Sequence, residues 1–232
     1  DQASSRDRGQ VLAGKVRGMK TVAVLPIKLK SERCPGKNWR TLGTLPLWRW
    51  AGNVLQALRD HGVADEIAIV SPEDLSLIDV GNGPIPWRHI PQLASAGAGE
   101  IARAISHAIP ADVYCVLFAT TPFLSLGSAR TVVDAVKHGK AESAATVRRL
   151  NALAFVDGVP NYDLLCIPPS DQTATIDIVV SGCVAFTAEL ARFGMMLDAG
   201  GLRVPVPWPE CCDIDTEADF AQAETIARGL RR

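Results

Sequence analysis

Short apolar runs alternate with helical patterns along the chain, and this alternation restricts the fold more than any other feature. Four runs rich in apolar residues and bounded by turn residues have the pattern of buried strands: 21–27, 66–70, 113–119 and 143–147. Helical periodicity and helix-end signals lie between and after them: 46–59, 99–109, 128–139 and 216–228. Strands that alternate with helices form βαβ units. The sequence therefore predicts an α/β fold with a doubly wound, mostly parallel sheet of the Rossmann-like type.

The boundaries of the domain and its less regular part follow from the same patterns. Ser128 is predicted to cap the helix over 128–139, which ends at Gly139. The stretch 150–180 is irregular, with strand-like patches near 154–156 and 176–180, and a further strand follows over 182–186. We expect a disordered polar leader over 1–18 and one domain over 19–232, in which 150–180 forms a small protruding subdomain.

Charge and cysteine usage exclude several classes of protein. The chain has 24 Lys+Arg against 25 Asp+Glu. It therefore lacks the excess of positive charge that would indicate binding to nucleic acid or to an anionic membrane. No apolar stretch approaches the ~20 residues that a membrane-spanning helix needs. The six cysteines are scattered without a CxxC pair, which favours reduced thiols over a disulfide scaffold. We expect a cytoplasmic protein with no nucleic-acid partner and no membrane contact.

The loop after the first strand concentrates positive charge. Four cations lie in this loop, Lys28, Lys30, Arg33 and Lys37, together with Ser31 and Asn38. Ligands of open α/β sheets bind beyond the carboxyl ends of the strands, and converging cations with free backbone N–H groups suit a polyphosphate. The GxGxxG and GK[ST] spacings are absent. A solvated surface loop explains the same charges equally well at this point.

An acidic segment precedes the last predicted helix. Asp213 and Asp215 are two residues apart, so their carboxylates share a side if the segment is extended. Two such oxygen donors fit a Mg²⁺ site when phosphates supply further ligands. The alternative is helix capping, with Asp215 or Thr216 at the start of the helix. Capping leaves Asp213 without a role.

Four segments in order along the chain carry a resemblance to a known enzyme family. They are LPIKLKSERCPGKN (25–38), ATTPF (119–123), SGCVAF (181–186) and DIDTEADFAQAE (213–224). The first is similar to the signature loop of the acylneuraminate cytidylyltransferases (CMP-sugar-acid synthetases). The others resemble that family's Pro-Thr-Ser-Pro turn, its Asn-Gly-Ala strand and its closing segment. Related sugar nucleotidyltransferases share the closing motif, and the whole resemblance runs from about residue 20 to residue 230.

The resemblance implies a nucleotidyltransferase-type fold with a CTP site on the first loop and Mg²⁺ held by Asp213 and Asp215. The implied nucleotide-binding residues are Lys28, Ser31, Arg33, Lys37, Asn38 and Ser95. Lys28, Arg33 and Lys37 would also hold the phosphates during transfer and are the implied catalytic residues. Lys28 replaces a usual Arg and Glu32 a usual Lys, so one phosphate contact is altered.

The acceptor side departs further from the family pattern. Several polar groups with which the family binds the sugar acid are missing, which predicts an altered or smaller acceptor. Thr120 keeps the position of the family's Thr. Arg148 and Arg149 are the best remaining ligands for an anionic acceptor, and a pair of solvated surface arginines explains them equally well.

The expected reaction is attack by an acceptor oxygen on the α-phosphorus of CTP with release of pyrophosphate. The acceptor is a nonulosonate-like sugar acid or a small phosphonate. No general base is evident in the sequence, and a phosphonate oxygen, already anionic at pH 7, needs none. A non-catalytic CTP- or CMP-binding protein is the main alternative. A nucleoside-diphosphate-sugar glycosyltransferase ranks last, because its Asp-x-Asp pair normally follows a mid-chain strand.

The resemblance also implies a homodimer that exchanges a protruding segment. The stretch 150–180 is the candidate, with apolar residues such as Phe155, Tyr162 and Leu164 available for burial.

Overall fold

A computed structural model of the protein describes residues 18–31, 33–75, 85–94 and 97–230. The predicted leader lies outside the described residues apart from Gly18, and so do Glu32 and Ser95. The strands in these ranges are β1 (Thr21–Pro26), β2 (Thr41–Leu42), β3 (Leu45–Pro46), β4 (Glu66–Ser71), β5 (Trp87–His89), β6 (Val113–Leu117), β7 (Ser143–Asn151), β8 (Phe155–Val156), β9 (Val159–Pro160), β10 (Thr175–Thr187) and β11 (Leu202–Pro205). The α-helices are α1 (Leu47–Asp60), α2 (Ala98–Ala108), α3 (Leu126–Lys137), α4 (Ala188–Phe193) and α5 (Glu217–Gly229). Among the described residues, no helix has the length and apolar character needed to cross a bilayer.

Seven strands form the central sheet in the order β11-β7-β10-β6-β1-β4-β5. All neighbours pair in parallel except β10, which is antiparallel to both β6 and β7. This confirms the predicted mostly parallel α/β sheet. The two strand patches predicted at 176–180 and 182–186 are one strand, β10, whose register shifts between Val179 and Val184. The irregularity explains why the sequence pattern divides there.

The sheet is buried between helices on both faces. Along β1, Ala23 and Leu25 pack into the cluster under α1 and α3, whereas Val22 and Val24 pack into the cluster under α2 and α4. Alternate side chains of a strand point to opposite faces, so a strand covered on both faces is apolar throughout. The run TVAVLP therefore shows no polar alternation.

Helix α3 begins earlier than predicted. Ser125, not Ser128, is its N-cap: the Ser125 Oγ accepts a hydrogen bond from the Ser128 N–H at 3.1 Å. Ser125 is also held by Glu210, whose Oε2 accepts from both the backbone N–H and the hydroxyl of the serine at 3.0 Å. The prediction of Ser128 as the cap was wrong because the two serines have the spacing of a cap and its N3 residue.

Strands β7 and β10 continue as a two-stranded ribbon beyond the rest of the sheet. Residues 147–151 of β7 pair with 175–179 of β10, whereas β11 pairs with β7 only as far as Val147. We call residues 150–180 the arm. It contains the outer part of this ribbon and the β8–β9 hairpin between the two strands. Large exposed apolar side chains cover it: Leu153, Phe155, Val156, Val159, Leu164, Leu165, Ile167, Ile178 and Val179.

Candidate functional site

The basic loop and the acidic segment meet at one edge of the sheet. The loop follows β1, and residue Thr120 follows β6, the parallel neighbour of β1. The Ile214 N–H donates a hydrogen bond to the Thr120 carbonyl at 2.9 Å, which places the acidic segment against the same edge. Because this is the carboxyl edge of parallel strands, it is the expected position of a ligand site in this class of fold.

Lys37 joins the two segments directly. Its Nζ donates to the Ile214 carbonyl at 2.6 Å and lies 3.5 Å from Asp215 Oδ1, and its side chain is only 11% exposed. Gly36 precedes it with a φ of +63°, a conformation that favours glycine, and starts the 3₁₀-helix Lys37–Trp39. A buried ammonium group needs polar partners, and Lys37 has two of them. It has three donor hydrogens, so it can still bind an anion.

Arg33 reaches the same carboxylate from the solvent side. Its Nη2 lies 2.9 Å from Asp215 Oδ1, and the side chain is 70% exposed. Asp215 therefore contacts two cations of the loop, and one positive charge remains in excess. Exposed ion pairs contribute little to stability, so this contact can be exchanged for another anion at small cost.

Arg40 and Glu217 form a second connection that the sequence did not predict. The Arg40 Nη1 lies 2.7 Å from both carboxylate oxygens of Glu217, and the guanidinium carbon lies 3.9 Å from the centre of the Phe220 ring. The Cys34 thiol donates to Glu217 Oε1 at 3.3 Å. These contacts fasten the basic loop to the first turn of α5. One indication of this connection is visible in the sequence, because Glu217 is an acidic residue in the first turn of the predicted helix.

The ion pair with Arg40 gives a pH-dependent prediction for stability. Hydrogen bonds from Arg40, and next from Cys34, lower the pKa of Glu217 below its usual value. A lowered pKa stabilises the fold above the pKa of the unfolded chain, about 4.3, and this contribution is lost as the pH falls through the folded-state pKa. We expect Glu217→Gln to lower the melting temperature at pH 7, and the difference from the wild type to shrink as the pH falls below about 4.3. Thermal unfolding followed by circular dichroism measures it. A difference that stays constant over this range contradicts the assignment.

Lys28, Ser31 and Asn38 lie in the same loop with different surroundings. Asn38 Nδ2 donates to the Lys28 carbonyl at 3.0 Å and thereby stabilises the shape of the loop. Lys28 Nζ donates to the Ala94 carbonyl at 3.1 Å, so it is directed toward the 3₁₀-helix Pro91–Leu93. Ser31 is half-buried and makes no side-chain hydrogen bond to a described residue.

The structure shows which residues of the acidic segment cap helix α5. Thr216 is the N-cap of α5: its Oγ1 accepts from the Asp219 N–H at 3.3 Å, and Asp219 Oδ2 accepts from the Thr216 N–H at 2.8 Å. Capping thus occupies Thr216 and Asp219, not the pair at 213 and 215. Asp213 Oδ1 is buried and accepts no hydrogen bond from a described residue.

That unpartnered carboxylate oxygen fits a cation ligand. A buried oxygen without a donor is costly unless something else neutralises it. Within the described ranges, no group of three or more His, Cys, Asp or Glu side chains surrounds one point. Asp213 and Asp215 would therefore need phosphate or water oxygens to complete the coordination of Mg²⁺.

The three residues expected at the acceptor side have different surroundings. Thr120 Oγ1 is buried and makes no hydrogen bond with a described residue, while the Thr120 carbonyl accepts from the Ile214 N–H. Arg149 forms a two-point ion pair with Asp177 of the facing strand, at 2.7 Å and 2.8 Å. Arg148 is exposed on the other face of β7 and has no ion pair with a described residue. Among the described residues, neither arginine forms an ion pair with Lys37 or Asp215.

Known proteins that resemble the chain were found by comparison of structures and not by comparison of sequences. No protein-family model matches the chain, and no curated protein matches it. A CMP:2-keto-3-deoxy-manno-octonic acid synthetase, solved in complex with CTP, is similar over 91% of this chain and 99% of its own, with a TM-score of 0.69 and 14% identity. The 4-diphosphocytidyl-2C-methyl-D-erythritol synthase of Anaerococcus prevotii is similar over 92% of this chain and 99% of its own, with a TM-score of 0.62 and 13% identity.

A third similar structure is the bifunctional IspDF of Campylobacter jejuni. It matches 88% of this chain with 54% of its own, with a TM-score of 0.61 and 12% identity. The chain thus shares nearly its whole architecture with enzymes whose sequences differ at most positions. It has the nucleotidyltransferase-type α/β fold of these proteins.

Proposed function

We propose that the protein is a Mg²⁺-dependent cytidylyltransferase that transfers CMP from CTP to a small anionic acceptor and releases pyrophosphate. One observation supports this most: Lys37 Nζ contacts both the Ile214 carbonyl and Asp215, so the basic loop and the acidic segment form one site. That site lies at the ligand-binding edge of a fold shared with a CMP-sugar-acid synthetase solved with CTP.

The basic loop would bind the triphosphate. Lys37 is fixed by its buried contacts and would hold a phosphate oxygen in one position. Arg33 is exposed and would exchange Asp215 for a phosphate, which frees the carboxylate. Lys28 would add a third cation, while Ser31, Asn38 and Ser95 would contribute to nucleotide binding. Fixed positive charge around the phosphates favours the transition state, because negative charge develops on the leaving oxygen.

Asp213 and Asp215 would hold Mg²⁺, and the bound ion would supply positive charge against the phosphates. The unpartnered Asp213 Oδ1 supports this assignment. Asp215 would become available once Arg33 moves to the triphosphate.

The chemical step needs little from the protein beyond position and charge. An acceptor oxygen forms a bond to the α-phosphorus, the bond from that phosphorus to the bridging oxygen breaks, and pyrophosphate leaves with the electron pair. A carboxylate or phosphonate oxygen is already ionised at pH 7 and needs no base, whereas a sugar hydroxyl would have to give up its proton to water. Thr120, Arg148 and Arg149 would bind the acceptor. Because Asp177 already neutralises Arg149, Arg148 would supply the unpaired positive charge.

Pyrophosphate release tests the proposal. The purified protein is incubated with CTP and Mg²⁺, together with nonulosonate-like sugar acids in one set of reactions and small phosphonates in another. Acceptor-dependent release that stops when EDTA is added supports the proposal, and the set that shows release identifies the acceptor class. Tight binding of CTP with no release in either set indicates the non-catalytic nucleotide-binding protein instead.

We also propose a homodimer formed through the arm. Nine large apolar side chains are exposed there, far more than elsewhere among the described residues. Phe155 and Tyr162 pack edge to face with ring centres 5.8 Å apart, which gives the exposed surface a defined shape. Exposed apolar patches of this kind mark sites of protein association.

Changes in the arm should weaken association without unfolding the protein. Leu165 is 99% exposed, so Leu165→Glu removes no intrachain packing. Sedimentation velocity at micromolar concentration should show a dimer for the wild type and a weaker dimer, by about tenfold or more, for this variant. Leu230→Glu is the control, because Leu230 is 61% exposed and lies outside the arm. A monomeric wild type would contradict the proposal.

A further inference from the structure

A cavity lies on the other face of the sheet from Lys37. It has a volume of about 830 Å³ and is bordered by α2, α4 and the start of β6. Lys37 and Ile214 instead lie near the cluster that α1 and α5 form around Leu47 and Phe220. Small-molecule sites have volumes of about 300–1,000 Å³. The cavity therefore has room for a ligand of its own.

The floor of this cavity is apolar. Ile90 and Tyr114 are 3% and 2% exposed and line it together with alanines of α2 and α4. The Tyr114 hydroxyl already donates to the Ile109 carbonyl at 3.0 Å and accepts from the Ala111 N–H at 2.9 Å. Its ring stacks on Phe186 with ring centres 5.8 Å apart and, like Ile90, is almost fully covered by the protein, so the exposed apolar wall is formed mainly by the alanines of α2 and α4. This part of the cavity suits a small apolar group.

The rim of the cavity is basic. Two arginines and two histidines line it: Arg103, Arg192, His89 and His107. Glu100 is the one acidic residue of the described lining, and its Oε2 accepts from the Gly97 N–H at 2.7 Å in the cap of α2. Charge complementarity thus favours an anion over a cation.

Much of the hydrogen-bonding capacity of this rim is unused. Arg103 Nη2 donates to the Phe193 carbonyl at 2.9 Å, which fixes the guanidinium and leaves other N–H groups available. Arg192 and His107 make no hydrogen bond or ion pair with a described residue. His89 uses one ring nitrogen, which lies 2.9 Å from the Pro72 carbonyl. Two guanidinium groups on neighbouring helices suit the several oxygens of a phosphate.

We propose that this cavity is a binding site for a small organic phosphate whose phosphate contacts Arg103 and Arg192 and whose apolar part lies against the alanines of α2 and α4. The apolar floor and the basic rim each account for one part of such a ligand. The site uses none of the residues assigned to CTP, so it does not depend on the proposed transferase activity.

The four histidines of the sequence provide the test. His89 and His107 line the cavity, whereas His61 and His138 lie at the ends of α1 and α3. The imidazole carbon–proton signals, assigned with single His→Gln variants, are followed by NMR during titration with phenyl phosphate. We expect saturable shifts of the His89 and His107 signals and none for the other two. Absence of these shifts at millimolar phenyl phosphate would overturn the proposal.

Two variants and one second probe complete the experiment. Arg192→Ala should weaken the binding of phenyl phosphate about tenfold or more, whereas Arg228→Ala, an exposed position on α5, should leave it unchanged. Lys37→Ala should also leave the His89 and His107 shifts unchanged, which separates this cavity from the nucleotide site. Inorganic phosphate should bind at least tenfold more weakly than phenyl phosphate. Equal affinities for both probes, or shifts unaffected by Arg192→Ala, would contradict the assignment.

Discussion

Replacing Asp213 with asparagine is expected to lower Mg²⁺-dependent release of pyrophosphate from CTP by about 10³-fold, equivalent to about 4 kcal/mol of transition-state stabilisation. Asparagine keeps the shape of the side chain but loses the charge that would bind the metal. Since Asp213 Oδ1 accepts no hydrogen bond from a described residue, the substitution breaks no hydrogen bond of that oxygen within the described part of the chain. The melting temperature should stay the same or rise.

Steady-state kinetics and thermal unfolding of the same preparation measure both effects. Glu224→Gln is the matched control, because it removes a carboxylate from α5 that forms only a 3.7 Å ion pair with Arg228. It should leave the rate within about twofold. A large loss of stability in Asp213→Asn, or a rate like that of the control, would show that Asp213 has a structural role or none.

Lys37→Ala is expected to reduce kcat/KM for CTP by about 10–100-fold. Loss of one charged hydrogen bond to a phosphate costs about 1.5–3 kcal/mol. The variant also loses the contacts of Lys37 with the Ile214 carbonyl and Asp215, so we expect a modest fall in melting temperature. The affinity for CTP, measured by calorimetry, should fall with the rate.

Lys30→Ala separates a specific role of Lys37 from the general charge of the loop. Lys30 is exposed and makes no ion pair or hydrogen bond with a described residue. If only the net charge of the loop mattered, both alanine variants would lose CTP affinity equally. We expect at least a tenfold difference between them.

The sheet was largely predictable because its strands are short apolar runs covered on both faces. The pattern of β1 predicts its burial, since Ala23 and Val24 both enter a core. The direction and length of β10 were not predictable. Ser181 and Gly182 interrupt the apolar pattern while the strand continues through the register shift. Hydrogen bonding to both neighbouring strands keeps these residues in β10, and this pairing cannot be read from the local sequence.

The candidate site was predictable in residue type and only partly in geometry. Lys37 could be selected because it lies in the loop that follows the first strand, at the carboxyl edge of the sheet. Asp215 could be selected because it lies at the start of a predicted helix. The Arg40–Glu217 pair could not, since the two residues are 177 positions apart and meet only in the folded chain. The pairing of Arg149 with Asp177 likewise depends on the register of β7 and β10. Ser95 lies outside the described residues, so its role remains a prediction.

A crystal structure with CTP and Mn²⁺ in place of Mg²⁺, without acceptor, tests most directly whether the basic loop and the acidic segment bind one metal–triphosphate. We expect an anomalous peak within about 2.2 Å of an Asp213 carboxylate oxygen, with further phosphate oxygens around the ion. Lys37 Nζ should lie within about 3 Å of a phosphate oxygen. A triphosphate that contacts neither Lys37 nor the metal at Asp213 would contradict this expectation.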